Sequence, residues 1–102
     1  MKPPENFTKI IGQKRYSTRS AKLIAGDDFW DGHNWERHGR NTFLYRTPRG
    51  AFFCVILSQW QGEYDRLTPV NQSEAITLYE TQLTEHRVPY TEAFPGVEIE
   101  DA

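Results

Sequence analysis

The stretch Asn41-Thr-Phe-Leu-Tyr-Arg-Thr-Pro-Arg-Gly-Ala-Phe-Phe-Cys-Val-Ile-Leu-Ser-Gln59 decides the fold. Two runs rich in aromatic and β-branched residues flank Thr47-Pro48-Arg49-Gly50. Proline presets the backbone angle wanted at the second position of a type I turn, and glycine takes the left-handed position that closes it. The reading is a β-hairpin over about 42–58. Its first strand alternates weakly, with Phe43 and Tyr45 on one side and Leu44 and Arg46 on the other. Its second strand does not alternate. Phe52, Cys54 and Ile56 point one way, Phe53, Val55 and Leu57 the other, and nearly all are oily. A strand with two apolar faces needs cover on both. The expected cover for the second face is either the aromatic loop that precedes the hairpin or a second copy of the chain, hence a homodimer.

Toward the C-terminus, Trp60 to Arg66 reads as a polar turn region, and Leu67-Thr68-Pro69-Val70 as a third short strand that Pro69 confines to an edge or an end. Asn71 then opens the main helix, expected over about 73–87, because Asn71-Gln72-Ser73-Glu74 has the form of a capping box. Ala75, Ile76, Tyr79, Leu83 and His86 fall on one stripe of it. Arg87 suits the helix dipole and Pro89 stops the helix. Residues 95–102 form an acidic tail expected to fray.

Toward the N-terminus lies the irregular stretch 26–41, with no clean period of 2 or 3.6. Before it, Ser17 or Thr18 is expected to cap a short helix over about 18–25, with Ala21, Ile24 and Ala25 on one face and Gly26 ending it. Lys14 to Ser17 is a short strand, and residues 1–8, with two prolines, are a loose arm. The expected architecture is one α+β domain over 9–94, a small antiparallel sheet centred on the hairpin with the main helix on one face.

The 102 residues suit one domain with a modest core. Only 37% are hydrophobic while 14% are aromatic, so large rings should dominate that core. A single cysteine excludes an intrachain disulfide, no apolar run approaches a membrane span, and the first residues lack a secretory pattern. The expected compartment is the cytoplasm. Net charge is −2, yet residues 1–50 hold ten Lys/Arg against five Asp/Glu, and residues 51–102 hold two against nine. That asymmetry marks a polyanion face, favours contact between copies, or vanishes if the fold interleaves the halves.

Four candidate chemistries follow. Asp27, Asp28, Asp31, His33, Glu36 and His38 offer metal-ligating groups, with His33 and His38 the best placed; but no cysteine pair accompanies them, so we expect no cofactor. Cys54 with a histidine resembles a nucleophilic pair, but a thiol in an apolar strand is inert. Arg15, Arg19, Lys22, Arg37, Arg40, Arg46 and Arg49, with Lys14 and interleaved tryptophans, offer a nucleic-acid face, against which stands an isoelectric point near 5.9. Trp30, Trp35, Trp60 and Tyr64, with Phe53, Val55 and Leu57, are the residue types that dominate protein interfaces.

Lys14-Arg15-Tyr16-Ser17-Thr18, then Ala21-Lys22-Leu23-Ile24-Ala25, Leu44-Tyr45-Arg46-Thr47 with Gly50, Pro69, and Glu74-Ala75 together resemble a group of small bacterial and phage-borne proteins of unknown function. The likeness spans about residues 12–85. It implies a bacterial source and an accessory role on a mobile element, and it carries no activity. The leading expectation is a non-enzymatic interaction module that self-associates through an apolar and aromatic surface. The alternatives are a nucleic-acid-associated accessory protein and a small metal-dependent enzyme.

Overall fold

The computed structural model describes residues 1–29 and 32–102. Along the chain these form strands β1 (Thr8–Ile11), β2 (Lys14–Ser17), β3 (Lys22–Gly26), β4 (Arg40–Arg46), β5 (Phe52–Ser58) and β6 (Arg66–Val70). Helix α1 (Gln72–Glu80), strand β7 (Glu85–His86) and the four-residue helix α2 (Tyr90–Ala93) follow. The fold is α+β and antiparallel. One sheet has the order β6-β5-β4-β3-β7, and β1 and β2 form a separate two-stranded ribbon.

The hairpin turn closes as its residues dictate. Gly50 adopts φ +88°, its N–H donates to the Thr47 carbonyl at 2.9 Å, and the Ala51 N–H donates to the Thr47 hydroxyl at 3.0 Å. That fixes the register from Arg46 opposite Phe52 to Arg40 opposite Ser58. Pro69 lies in β6 at the sheet edge, where its missing N–H leaves no ladder bond unmade.

Both faces of β5 are covered by the chain itself, except at the half-buried Ile56. Phe52 and Cys54 pack with Ile24, Leu44, Ala75, Tyr79, Leu83 and Phe94 beneath the helices. Phe53, Val55 and Leu57 pack with Tyr16, Phe43, Tyr45 and Leu67, and Met1, Phe7 and Ile11 of the arm and ribbon close over them. The second cover is thus the N-terminal segment, neither the aromatic loop nor another copy. Residues 1–8 make specific contacts with this layer. The Phe7 N–H donates to the Thr18 hydroxyl at 2.9 Å, and the Tyr45 hydroxyl donates to the Pro4 carbonyl at 3.3 Å.

Two expected helices differ. The one over 18–25 is a turn followed by β3. A bulge between Leu23 and Ala25 breaks the alternation, so Ile24 and Ala25 enter the same core, and the strand mimics helical spacing. Gly26 is no helix cap: a Cβ there would lie 2.8 Å from the Phe43 ring. The main helix starts as expected, with both arms of the Asn71–Glu74 capping box formed, but ends at Glu80 rather than Arg87. Beyond it the chain turns back to the exposed edge of β3, where His86 pairs with Ala25 and the Arg87 N–H donates to the Ile24 carbonyl at 2.8 Å. Satisfying that open edge outweighs seven further residues of helix. No helix among the described residues is long and apolar enough to cross a membrane.

Candidate interaction surface

β3 and β5 end where β4 and β6 begin, so the two long loops, 27–39 and 59–65, emerge at one end of the sheet. The first loop is pinned by a buried polar pair. Asp27 Oδ1 accepts from Asn41 Nδ2 at 3.0 Å and from the Thr42 N–H at 2.8 Å. Asn41, fully buried, also donates to the Trp35 carbonyl at 3.0 Å, and its Oδ1 accepts from the Met1 amino group at 2.8 Å. A carboxylate out of water persists only with such partners. Arg37 stacks on the Phe29 ring, 3.6 Å from its centroid, and donates to the Phe29 and Glu36 carbonyls.

The second loop is braced against the first. Trp60 Nε1 donates to the His38 carbonyl at 2.6 Å, and the Gln59 N–H donates to the Gly39 carbonyl at 3.0 Å. The indole rests directly on Gly39, which has φ +78°; a Cβ there would lie 2.5 Å from Trp60 Nε1. Arg40 grips Glu63 through two nitrogens at 3.2 and 2.5 Å, and the Ser58 hydroxyl donates to the same carboxylate at 2.5 Å. The Arg40 bond first, then that of Ser58, holds the Glu63 carboxyl below its usual value.

On this braced end, Trp35 and Trp60 are each 52% exposed and Tyr64 is 86% exposed. Beside Tyr64, Ile56 lines a shallow hollow of about 320 Å³ with Arg40, Ser58, Glu63 and Arg66. Ile56 shares a face with Phe52 and Cys54 but lies outside the helix-covered cluster.

The structure therefore brings together Trp35, Trp60 and Tyr64. Trp30, the fourth aromatic candidate, and Asp31 lie outside the described residues. Phe53, Val55 and Leu57 are interior side chains and present nothing to a partner. His33 and His38 are exposed on the loop, but among the described residues no three His, Cys, Asp or Glu groups converge as metal ligands. Asp27 is held by Asn41, Asp28 by Arg87 at 2.5 Å, and Glu36 lies 3.4 Å from the Met1 amino group. Cys54 is buried; burial, and next the nearby Glu74, push its thiol up to about 12, so it is no nucleophile at neutral pH.

The basic candidates do not share one surface. Lys22 pairs with Glu92 and Arg40 with Glu63, Arg46 and Arg49 flank the hairpin turn, and Arg15 and Arg19 belong to the N-terminal layer. The Arg40–Glu63–Ser58 brace and the role of Gly39 are features that residue-type reasoning missed. The His38-Gly39 pair just before β4, both at positive φ, was the available signal.

Comparison with known proteins returns no match to a family model, a curated protein or a solved structure.

Proposed function

We propose that this chain is a non-enzymatic interaction module that self-associates through the loop end of its sheet. One observation carries the reading: Trp35, Trp60 and Tyr64, the residue types richest in binding energy, stand exposed on two loops that hydrogen bonds lock together. Side chains held in place before contact lose less freedom on binding. The Ile56 hollow beside Tyr64 gives such a ring a place to enter, and the Arg40–Glu63 pair supplies a polar rim. The apolar β5 strand no longer argues for association, since the chain covers it; the argument rests on the loop end alone.

Sedimentation velocity across a wide concentration range tests this. Wild type is expected to show reversible self-association, and Tyr64→Ala to weaken it by about tenfold or more, as loss of a hot-spot ring does. A wild type that stays monomeric at the highest concentration overturns self-association.

A further inference from the structure

Lys2, Lys9, Lys14, Arg15 and Arg19 stand against one acid, Glu5, in residues 1–21, whereas residues 71–102 carry seven Asp/Glu against Arg87. Every one of these side chains is exposed. The two segments form the layers on opposite faces of the sheet, so the fold separates the signs of charge instead of interleaving them. Three cations elsewhere are matched, Lys22 by Glu92, Arg40 by Glu63 and Arg87 by Asp28, while Arg46, Arg49 and Arg66 stand apart from the ribbon. Among the described residues, none of the five N-terminal cations has an ion-pair partner.

Their scaffold is a ridge. β1 and β2 join through Gly12 and Gln13, both left-handed at φ +59° and +66°, the geometry of a tight hairpin turn. Ile10 faces Arg15 and Ile11 faces Lys14 across the ribbon. Ile11 and Tyr16 pack inward, and the register puts Lys9 and Lys14 at the margins of that same side, while Thr8, Ile10, Arg15 and Ser17 point away from the sheet. The Thr8 hydroxyl donates to that of Ser17 at 3.0 Å, and Ile10 is 63% exposed.

We infer that the outer side of this ribbon, with Arg15 on it and Lys2, Lys9, Lys14 and Arg19 around it, is a docking face for duplex DNA. A two-stranded ribbon fits the major groove of B-DNA, about 12 Å wide, while flanking cations reach the phosphates. The major groove of duplex RNA is too narrow to admit it. The inference is independent of the aromatic loop end.

Fluorescence anisotropy with a short labelled DNA duplex tests it, with a duplex RNA of the same sequence alongside. With roughly four phosphate contacts, affinity should fall about a hundredfold between 50 and 200 mM salt. The double variant Lys14→Glu/Arg15→Glu should abolish binding, Ile10→Glu should weaken it, and circular dichroism should show both still folded. Glu98→Gln/Glu100→Gln on the opposite layer and Tyr64→Ala at the loop end should leave it intact. The inference is overturned by no binding at the lowest salt, by binding that survives the double reversal, or by RNA binding equal to DNA binding. It is also overturned by salt-sensitive self-association that both the Lys14/Arg15 and the Glu98/Glu100 variants remove, which would assign the face to the acidic layer of a second copy.

Discussion

The two layers that sandwich the sheet are built in opposite ways. The helix layer follows directly from the sheet in sequence: β6 runs into α1 through Asn71 alone, and β7 returns to hydrogen-bond the β3 edge. Its core is a cluster of rings, with Phe94 5.4 Å from both Phe52 and Tyr79. The ribbon layer comes from far away in the chain. It meets the sheet through Tyr16, edge-on to Phe53 at 5.7 Å, and Phe53 in turn stacks on Tyr45 at 5.2 Å. Closing such remote contacts costs more chain entropy than closing local ones. The difference teaches that an apolar strand with two greasy faces does not by itself signal a missing partner. Here the partner is the chain's own first segment.

The comparison can be broken most forcefully at Phe53. Phe53→Ala should lower stability by about 3–5 kcal/mol in urea unfolding. If the ribbon layer is the less firmly held, the Phe7 and Thr18 amides should lose protection from hydrogen exchange in this variant while Ala75 and Thr81 of the helix layer keep theirs. Equal loss in both would make the layers a single cooperative unit.

A second effect separates the layers by titration. Burial pushes the Tyr45 hydroxyl, on the ribbon side, up to about 12 from an ordinary value of 10.0. It does the same to the Cys54 thiol, on the helix side, from 9.0. Each group keeps its proton more tightly folded than unfolded. Its contribution is therefore complete below the unfolded value and is lost as pH climbs from about 9 toward about 12. Urea midpoints should hold steady near neutrality and drop across that alkaline window. Tyr45→Phe and Cys54→Ala should each flatten part of the drop, and the larger flattening identifies the group whose proton burial holds more tightly.

The smallest expected effect is confined to the helix layer. Asn71→Ala removes the side chain that accepts from the Glu74 N–H at 2.8 Å and should cost about 1 kcal/mol, read as a lowered melting temperature.

How much of this was legible follows from how local each determinant is. The hairpin was readable because Pro48 and Gly50 act on their own backbone, and the start of α1 because Asn71 and Glu74 are three residues apart. β3 was misread as helix because its bulge puts Ile24 and Ala25 on one side, a spacing that one-dimensional periodicity cannot tell from a helical turn. The end of α1 was misplaced because the competing partner, the Ile24 carbonyl, lies far back along the chain. Of the interface candidates, Trp60 and Tyr64 were recognisable by type, but the Gly39 seat beneath the indole and the Asp27–Asn41 anchor are contacts between segments that no spacing announces.

The thinness of the molecule has an electrical consequence. Its extents are 42 × 39 × 18 Å, and the two charged layers cover opposite faces of the sheet. At physiological ionic strength fields decay over about 8 Å, so a neighbour touching one side is largely screened from the other. The plate then behaves as a base from above and an acid from below. Its dipole orients it before contact, and its orientation governs what it meets more than its net charge of −2 does.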